Sequence, residues 1–349
     1  MFRPGEQLNT ARNWARRGVV ALAALLMALP VLTACGSGKA PAPTITVKPA
    51  PAAQYPHPEL LADTSWLAAN LDNPDVRIVD LSSLADYERG HIPNAVHVWW
   101  QDLVETNNNT YGMLIDPVSR RRVLEQAGIG LGMTVVAYDD AGGRYAARLL
   151  WTLMYTDYAS GKLLNGGIGA WRTEGRPVTR AAPRFAPSQL PTNHATNETV
   201  LYNGTDLLAH LDDTSLKVVD NRAPDEVLDT WNNQLLIGRI PGARYVPWER
   251  NLGQKGTAIV RDPTELAHIY DSESLGRDDQ IIVYGLTGVD AAYTFWIMRV
   301  LGYTNVKLYD GSWAQWGANL PANPFRAHIE PPAVGTSPGA LPGMAKTAR

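Results

Sequence analysis

The chain repeats itself, and the repeat constrains the fold more than any other feature. Ser65-Trp-Leu-Ala-Ala-Asn-Leu-Asp-Asn-Pro-Asp-Val-Arg-Ile-Val-Asp80 is matched by Thr205-Asp-Leu-Leu-Ala-His-Leu-Asp-Asp-Thr-Ser-Leu-Lys-Val-Val-Asp220. Both read as a capped amphipathic helix running into a buried strand. Further pairs follow in the same order: Gly90 to Ala95 with Gly238 to Ala243, Val135 to Tyr138 with Ile281 to Tyr284, and Asn165 to Trp171 with Asp310 to Trp316. Ordered matches of this kind mean a duplicated domain. The length of 349 residues gives each copy enough chain for a core of its own.

Within each copy, short β-branched runs alternate with helical stretches such as Tyr145 to Met154 and Ala291 to Leu301. That alternation predicts an α/β fold in which each copy has a mainly parallel sheet flanked by helices on both faces. The first copy is expected over 58–180 and the second over 197–325. Between them, 181–196 is rich in proline and lacks periodicity, which reads as a linker. The segment 326–349 reads as a disordered tail.

Apolar residues at 45%, charged residues at 19% and a net charge of -3 are globular values that give no reason to expect a nucleic-acid partner. The seven histidines are scattered, from His57 to His328, without metal-ligand spacing, so neither a metal nor a cofactor is expected.

The N-terminus reads as an address. Arg3, Arg12, Arg16 and Arg17 precede an apolar run from Val19 to Leu32, which ends in Leu32-Thr-Ala-Cys-Gly36. Basic, apolar, then small residues is the order of a secretory signal. The run is shorter than the roughly 20 residues a spanning helix needs. Leu-Thr-Ala-Cys resembles a bacterial lipobox, which implies that 1–35 is a lipoprotein signal and that Cys35 carries the lipid. Segment 36–57, rich in proline and alanine, would then be a tether. The expected location is outside the cytoplasm, on the membrane surface.

Cys35 is the one cysteine in the chain, so the folded copies hold neither a disulfide nor a thiol nucleophile.

Asp220-Asn-Arg222 with Glu226, then Gly238-Arg-Ile-Pro-Gly-Ala243, then Tyr309-Asp-Gly-Ser-Trp-Ala-Gln-Trp316 resemble the rhodanese, or thiosulfate sulfurtransferase, pattern in its tandem form. Asp86-Tyr-Glu-Arg-Gly-His-Ile-Pro-Asn-Ala95 carries the same marks in the first copy. The resemblance implies an active loop of the form Cys-x-x-Gly-x-x between a strand and a helix. Converging amides and the helix N-terminus hold sulfur there as an anion. The first loop reads Asp139, Asp140, Ala141, Gly142, Gly143, Arg144, and the second Gly285, Leu286, Thr287, Gly288, Val289, Asp290. Asp139 and Gly285 stand where the nucleophile belongs, and neither offers sulfur.

These loops are candidate sites for a small sulfur anion or a partner's persulfide. Asp139 is expected to occupy its own amide cradle as a capping carboxylate. Arg144 is read evenly between holding an anion and pairing with Asp139 or Asp140. Arg222 and Glu226 are expected to form an ion pair bracing the second loop, and His91 to pack in a turn. Trp99, Trp100 and Trp248 are expected in the core or at the domain interface. The missing cysteine argues against an enzyme and for a membrane-anchored binding or scaffold module. The alternative is a thiosulfate or mercaptopyruvate sulfurtransferase-type sulfur carrier that works without its own loop cysteine. A third reading has Asp139 or Asp140 as a general acid or base, which needs a raised pKa that an amide cradle opposes.

Overall fold

The computed structural model describes residues 55–107, 109–183, 185–230, 233–253 and 257–332. The signal segment, Cys35 and the tether as far as residue 54 lie outside the described residues, as does the tail from 333 onward.

The first copy runs β1 (Leu61–Ala62), α1 (Thr64–Ala69), β2 (Val76–Asp80), α2 (Leu84–Arg89), β3 (Val96–His97), β4 (Val104–Asn107), β5 (Thr110–Leu114), α3 (Pro117–Gln126), β6 (Thr134–Tyr138), α4 (Arg144–Thr156), β7 (Ser160–Leu164) and α5 (Gly167–Thr173). The second runs β8 (Leu201–Tyr202), α6 (Gly204–Ala209), β9 (Leu216–Asp220), α7 (Pro224–Leu228), β10 (Arg244–Tyr245), α8 (Pro263–Ser272), β11 (Gln280–Tyr284), α9 (Gly288–Val300), β12 (Val306–Tyr309) and α10 (Ser312–Trp316). Each builds a parallel five-stranded sheet with one order, β1-β7-β6-β2-β3 and β8-β12-β11-β9-β10. Registers correspond as well: Asp80 lies beside Tyr138 and Asp220 beside Tyr284. The duplication read from the sequence is therefore a duplication of topology. An antiparallel hairpin, β4–β5, is the element of the first copy that the alternation did not foretell.

Local chemistry sets the elements. Val135–Tyr138 and Ile281–Tyr284 are fully buried, as strands covered by helices on both faces must be. Helices α3 and α8 each begin at Asp-Pro: Asp116 and Asp262 cap the free amides, and Pro117 and Pro263 supply a preset φ at the first helical position.

The two copies share one core. Helix α9 is buried at every position except Arg299, and it packs against α4 across the seam within a buried cluster that includes Leu149, Leu150, Phe295 and Val300. Burying each such side chain contributes about 1.5–3 kcal/mol. The seam is closed reciprocally: Trp151 Nε1 donates to the Val200 carbonyl of the second copy, and Trp296 Nε1 donates to the Leu60 carbonyl of the first.

Two boundary expectations are corrected, at the tether and at the tail. Tyr55, assigned to the tether, is buried, and its hydroxyl donates to the Arg261 carbonyl at 2.8 Å. The linker is fastened to the first copy, with Leu190 buried and its amide bonded to Glu125. The tail's first residues also pack, since Glu330 and Arg239 exchange backbone hydrogen bonds. Polar, proline-rich composition read as freedom, but single apolar anchors and exposed main-chain groups suffice to hold such segments down.

Candidate functional site

The first loop leaves β6 at Tyr138. Asp139, almost wholly buried, turns its carboxylate back into the loop: Oδ1 accepts from the Ala141 and Gly143 amides at 2.8 Å each, and Oδ2 accepts from Ala146 at 2.9 Å. The cradle that resemblance assigns to sulfur is filled here by this carboxylate. Gly142 and Gly143 adopt φ of +82° and +93°, and a Cβ on Gly143 would stand 2.9 Å from the Tyr293 ring of the second copy. Only glycine permits this approach. Burial, then the neighbouring Asp139 charge, holds the Asp140 carboxyl above its ordinary range.

The second loop leaves β11 at Tyr284 and lies packed. The Gly285 amide donates to Ser312 Oγ at 3.2 Å, and its carbonyl accepts from Trp313 at 3.0 Å. A Cβ at Gly285 would stand 2.7 Å from Asn221 Oδ1, a buried oxygen without a hydrogen-bond partner. Asn221 is fixed there because its Nδ2 donates to the Asp290 carbonyl and to Thr294 Oγ1. Leu286 holds α10 through its carbonyl, and Thr287 caps α9 through its hydroxyl. Gly288 faces Asp310 and Arg148 so closely that no side chain fits, and Val289 is core. The lid over this loop comes from the first copy. Arg148 Nη1 donates to Asp310 Oδ1 at 2.6 Å, and the Leu114 amide of β5 donates to Asp310 Oδ2 at 2.7 Å.

Arg144 and Asp290 join the loops. Arg144 Nη1 lies 2.9 Å from Asp290 Oδ1 and 3.9 Å from Glu226 Oε1, with its guanidinium 4.5 Å from the Trp248 ring. The expected partners Asp139 and Asp140 are thus corrected: Arg144 pairs across the seam, because Asp139 already satisfies its own loop. The Arg222–Glu226 pair is corrected too. Arg222 binds Asp220 through two nitrogens, at 2.9 and 2.6 Å, and the Gly238 carbonyl at 2.7 Å. Glu226 accepts from the Ala223 amide and faces Arg144. Burial first, and then Asp290, pushes the Glu226 carboxyl up to about 8. Burial raises Asp290 and Glu249 as well. One guanidinium therefore stands among three carboxyl groups that are costly to ionise together.

His91 packs in its turn, stacked on Tyr87 at 3.8 Å. Trp99 and Trp100 gather around Tyr145, and Trp248 reaches the seam. Beside Trp248 a cavity of about 570 Å³ opens between the copies, walled by Asp140, Ala141 and Gly142 on one side and by Trp248, Glu249 and Arg261 on the other. Sequence reasoning missed Asn221, Arg148, Asp310 and Glu249. A charged residue inside the otherwise apolar α4 was the available signal for Arg148.

The model of the rhodanese-like domain matches residues 63–174 and again 203–319. The chain belongs to the rhodanese-like family. It is 30% identical to the sulfur carrier protein TtuD of Thermus thermophilus, over 75% of this chain and 95% of that protein. It is 32% identical to the thiosulfate sulfurtransferase of Corynebacterium glutamicum, over 76% of this chain and 89% of that one. The crystal structure of SseA from Escherichia coli, described with the rhodanese fold and catalytic mechanism of 3-mercaptopyruvate sulfotransferases, superposes with a TM-score of 0.65 at 26% identity, covering 73% of this chain and 98% of that one. These relatives overturn the expectation that a rhodanese-like chain without a loop cysteine is not an enzyme. Kinship with sulfurtransferases over about three quarters of this chain points to an enzyme.

Proposed function

We propose that the protein is a thiosulfate or mercaptopyruvate sulfurtransferase-type sulfur carrier whose thiol is supplied by another molecule. What supports this reading is kinship with sulfurtransferases over three quarters of a chain whose one cysteine is Cys35, with Asp139 and Gly285 where the resemblance would place the nucleophile. In this reading the reacting thiolate attacks the outer sulfur of thiosulfate. The sulfur–sulfur bond breaks, sulfite leaves with the electron pair, and the thiolate becomes a persulfide. Cyanide or a second thiol then takes the outer sulfur and releases the first thiolate. The protein's part is to bind, orient and exclude water.

The same proposal includes a lipid on Cys35 and a place outside the cytoplasm at the membrane surface, supported by the order of basic, apolar and small residues before Cys35. Among the described residues no helix is long and apolar enough to cross a membrane. Each acyl CH₂ buried would add about 0.8 kcal/mol to attachment. The intact mass of the mature N-terminus tests this: a diacylated Cys35 is expected, and a free thiol there contradicts it.

The activity test is thiocyanate formation from thiosulfate or 3-mercaptopyruvate, with and without added dithiothreitol. Turnover above the uncatalysed background only when the thiol is present is the expected result. Absence of turnover with either donor and any thiol overturns the reading.

A further inference from the structure

A second cavity lies at the end of the fold away from both loops. Helix α9 starts at the second loop with Gly288, and Arg299 stands about 17 Å further along the helix. There Arg299 meets Asn197, Thr199, Asn305, Lys307 and Met154 around a cavity of about 400 Å³. Two cations line it and no carboxylate does. The cavities at Arg122 and at Lys217, by contrast, each carry an aspartate, Asp102 in one and Asp213 in the other. Glu198 follows Asn197 in the chain, but its carboxylate accepts from the Tyr155 and Thr196 hydroxyls.

What the cavity offers is donors. Arg299 Nη1 donates to the Tyr303 and Thr304 carbonyls, and Lys307 rests 5.7 Å from the Tyr202 ring. Neither cation has an ion-pair partner among the described residues. Burial holds the Arg299 guanidinium below its ordinary range, with no carboxylate to offset it. Asn197 turns Oδ1 to Thr199, which leaves its NH₂ group as a further donor. Cations gathered without a countercharge are matched by an anion.

Size and place select among anions. A bare phosphate leaves most of about 400 Å³ unfilled, whereas a phosphate diester with a glycerol arm can also lie along Met154 and Val306. The chain arriving from Cys35 enters the fold at this same end: the His57 amide donates to the Val300 carbonyl at 3.0 Å, and Pro56 lies beside Gly302. Arg299 directly precedes Val300, so a lipid on Cys35 would hold this cavity near the membrane surface.

We propose that this cavity binds the headgroup of an anionic glycerophospholipid, its phosphate met by Arg299 and Lys307 and its oxygens by Asn197 and Asn305. The inference rests on reading Cys35 as the lipid anchor. It adds a membrane contact selective for headgroup charge, which acyl chains alone do not supply.

Phosphorus-31 NMR with soluble, deacylated headgroups tests it on the full chain, because probes without acyl chains do not partition onto the apolar run from Val19 to Leu32. Saturable broadening of the glycerophosphoglycerol signal is expected. Glycerophosphocholine, which carries the same phosphate beside a cation, should bind at least about tenfold more weakly, and Lys307→Gln should weaken glycerophosphoglycerol about tenfold, as loss of one charged contact does. Arg299 also braces the turn after α9, so Lys307→Gln is the variant of choice, and melting at the wild-type temperature shows that it is folded. No saturable broadening, equal binding of glycerophosphocholine, or unchanged affinity in folded Lys307→Gln overturns the proposal. Inorganic phosphate binding as tightly as glycerophosphoglycerol also overturns it, by showing a site for free anions. If the headgroup binds while Cys35 keeps a free thiol, the lipid anchor fails and the site stands. If Cys35 is acylated and the headgroup does not bind, only the site fails.

Discussion

Arg144 and Asp290 hold the same place in their two loops, the sixth counted from Asp139 and from Gly285, and they meet across the seam at 2.9 Å. Duplication has put opposite charges at equivalent positions, and the pseudo-symmetric packing of α4 on α9 brings them together. The contact is partly shielded, with the arginine side chain 22% and the aspartate 10% exposed, so it is less screened than a surface pair. Replacing Arg144 by alanine leaves Asp290 and Glu226 facing each other without a cation. A loss of about 3 kcal/mol in unfolding free energy is expected, the usual cost of removing one partner of a shielded pair. Urea denaturation at neutral pH checks it.

The same cluster sets a pH dependence. Glu226 rises from an ordinary 4.5 to about 8 in the folded chain, through burial and then through Asp290. Between those values the folded chain keeps a proton that the unfolded chain releases, so stability from this group is full at low pH and falls as pH rises, levelling above about 8. Melting temperatures of wild type and Glu226→Gln across this range check the sign. The glutamine variant is expected to lack most of the decline.

Gly285 and Asn221 are predicted to be coupled. Cysteine at 285 would drive its Cβ to 2.7 Å from Asn221 Oδ1 and to 3.0 Å from the Thr287 carbonyl. Gly285→Cys alone is therefore expected to cost about 1–3 kcal/mol of stability by overpacking. Asn221→Ala opens the space but forfeits two hydrogen bonds, so it is also destabilising by itself. A double-mutant cycle should show the pair less destabilised than the sum of the single changes, by about 1 kcal/mol. Strict additivity would contradict the proposed clash.

Gly143 has a different constraint. Its φ of +93° and the Tyr293 ring at 2.9 Å from a prospective Cβ both oppose a side chain. Gly143→Ala is expected to lower stability by more than about 1 kcal/mol, and Tyr293→Ala should remove the steric part while leaving the backbone strain. Thermal melting of the two single variants and the double variant separates the contributions.

Periodicity made the framework legible. The runs Val135–Tyr138 and Ile281–Tyr284 are the central strands β6 and β11, and the cradle role of Asp139 followed from a carboxylate placed before a helix N-terminus. Contacts across the seam were not legible. Arg144 and Asp290 are separated by 146 residues, and each could plausibly have found a partner within its own loop. Glu249 and Arg148 were not among the residues that the sequence singled out, yet one borders a cavity and the other is fully buried against Asp310. Composition alone likewise hid the packing of Tyr55 and Leu190.

The decisive measurement is where sulfur resides after one turnover. Incubated with thiosulfate and a molar excess of dithiothreitol, the intact protein should show no added sulfur by mass spectrometry. Sulfite and the thiol's persulfide should form at a rate proportional to protein concentration. A sulfur atom retained covalently on the chain, at Cys35 or elsewhere, would contradict a thiol supplied from outside.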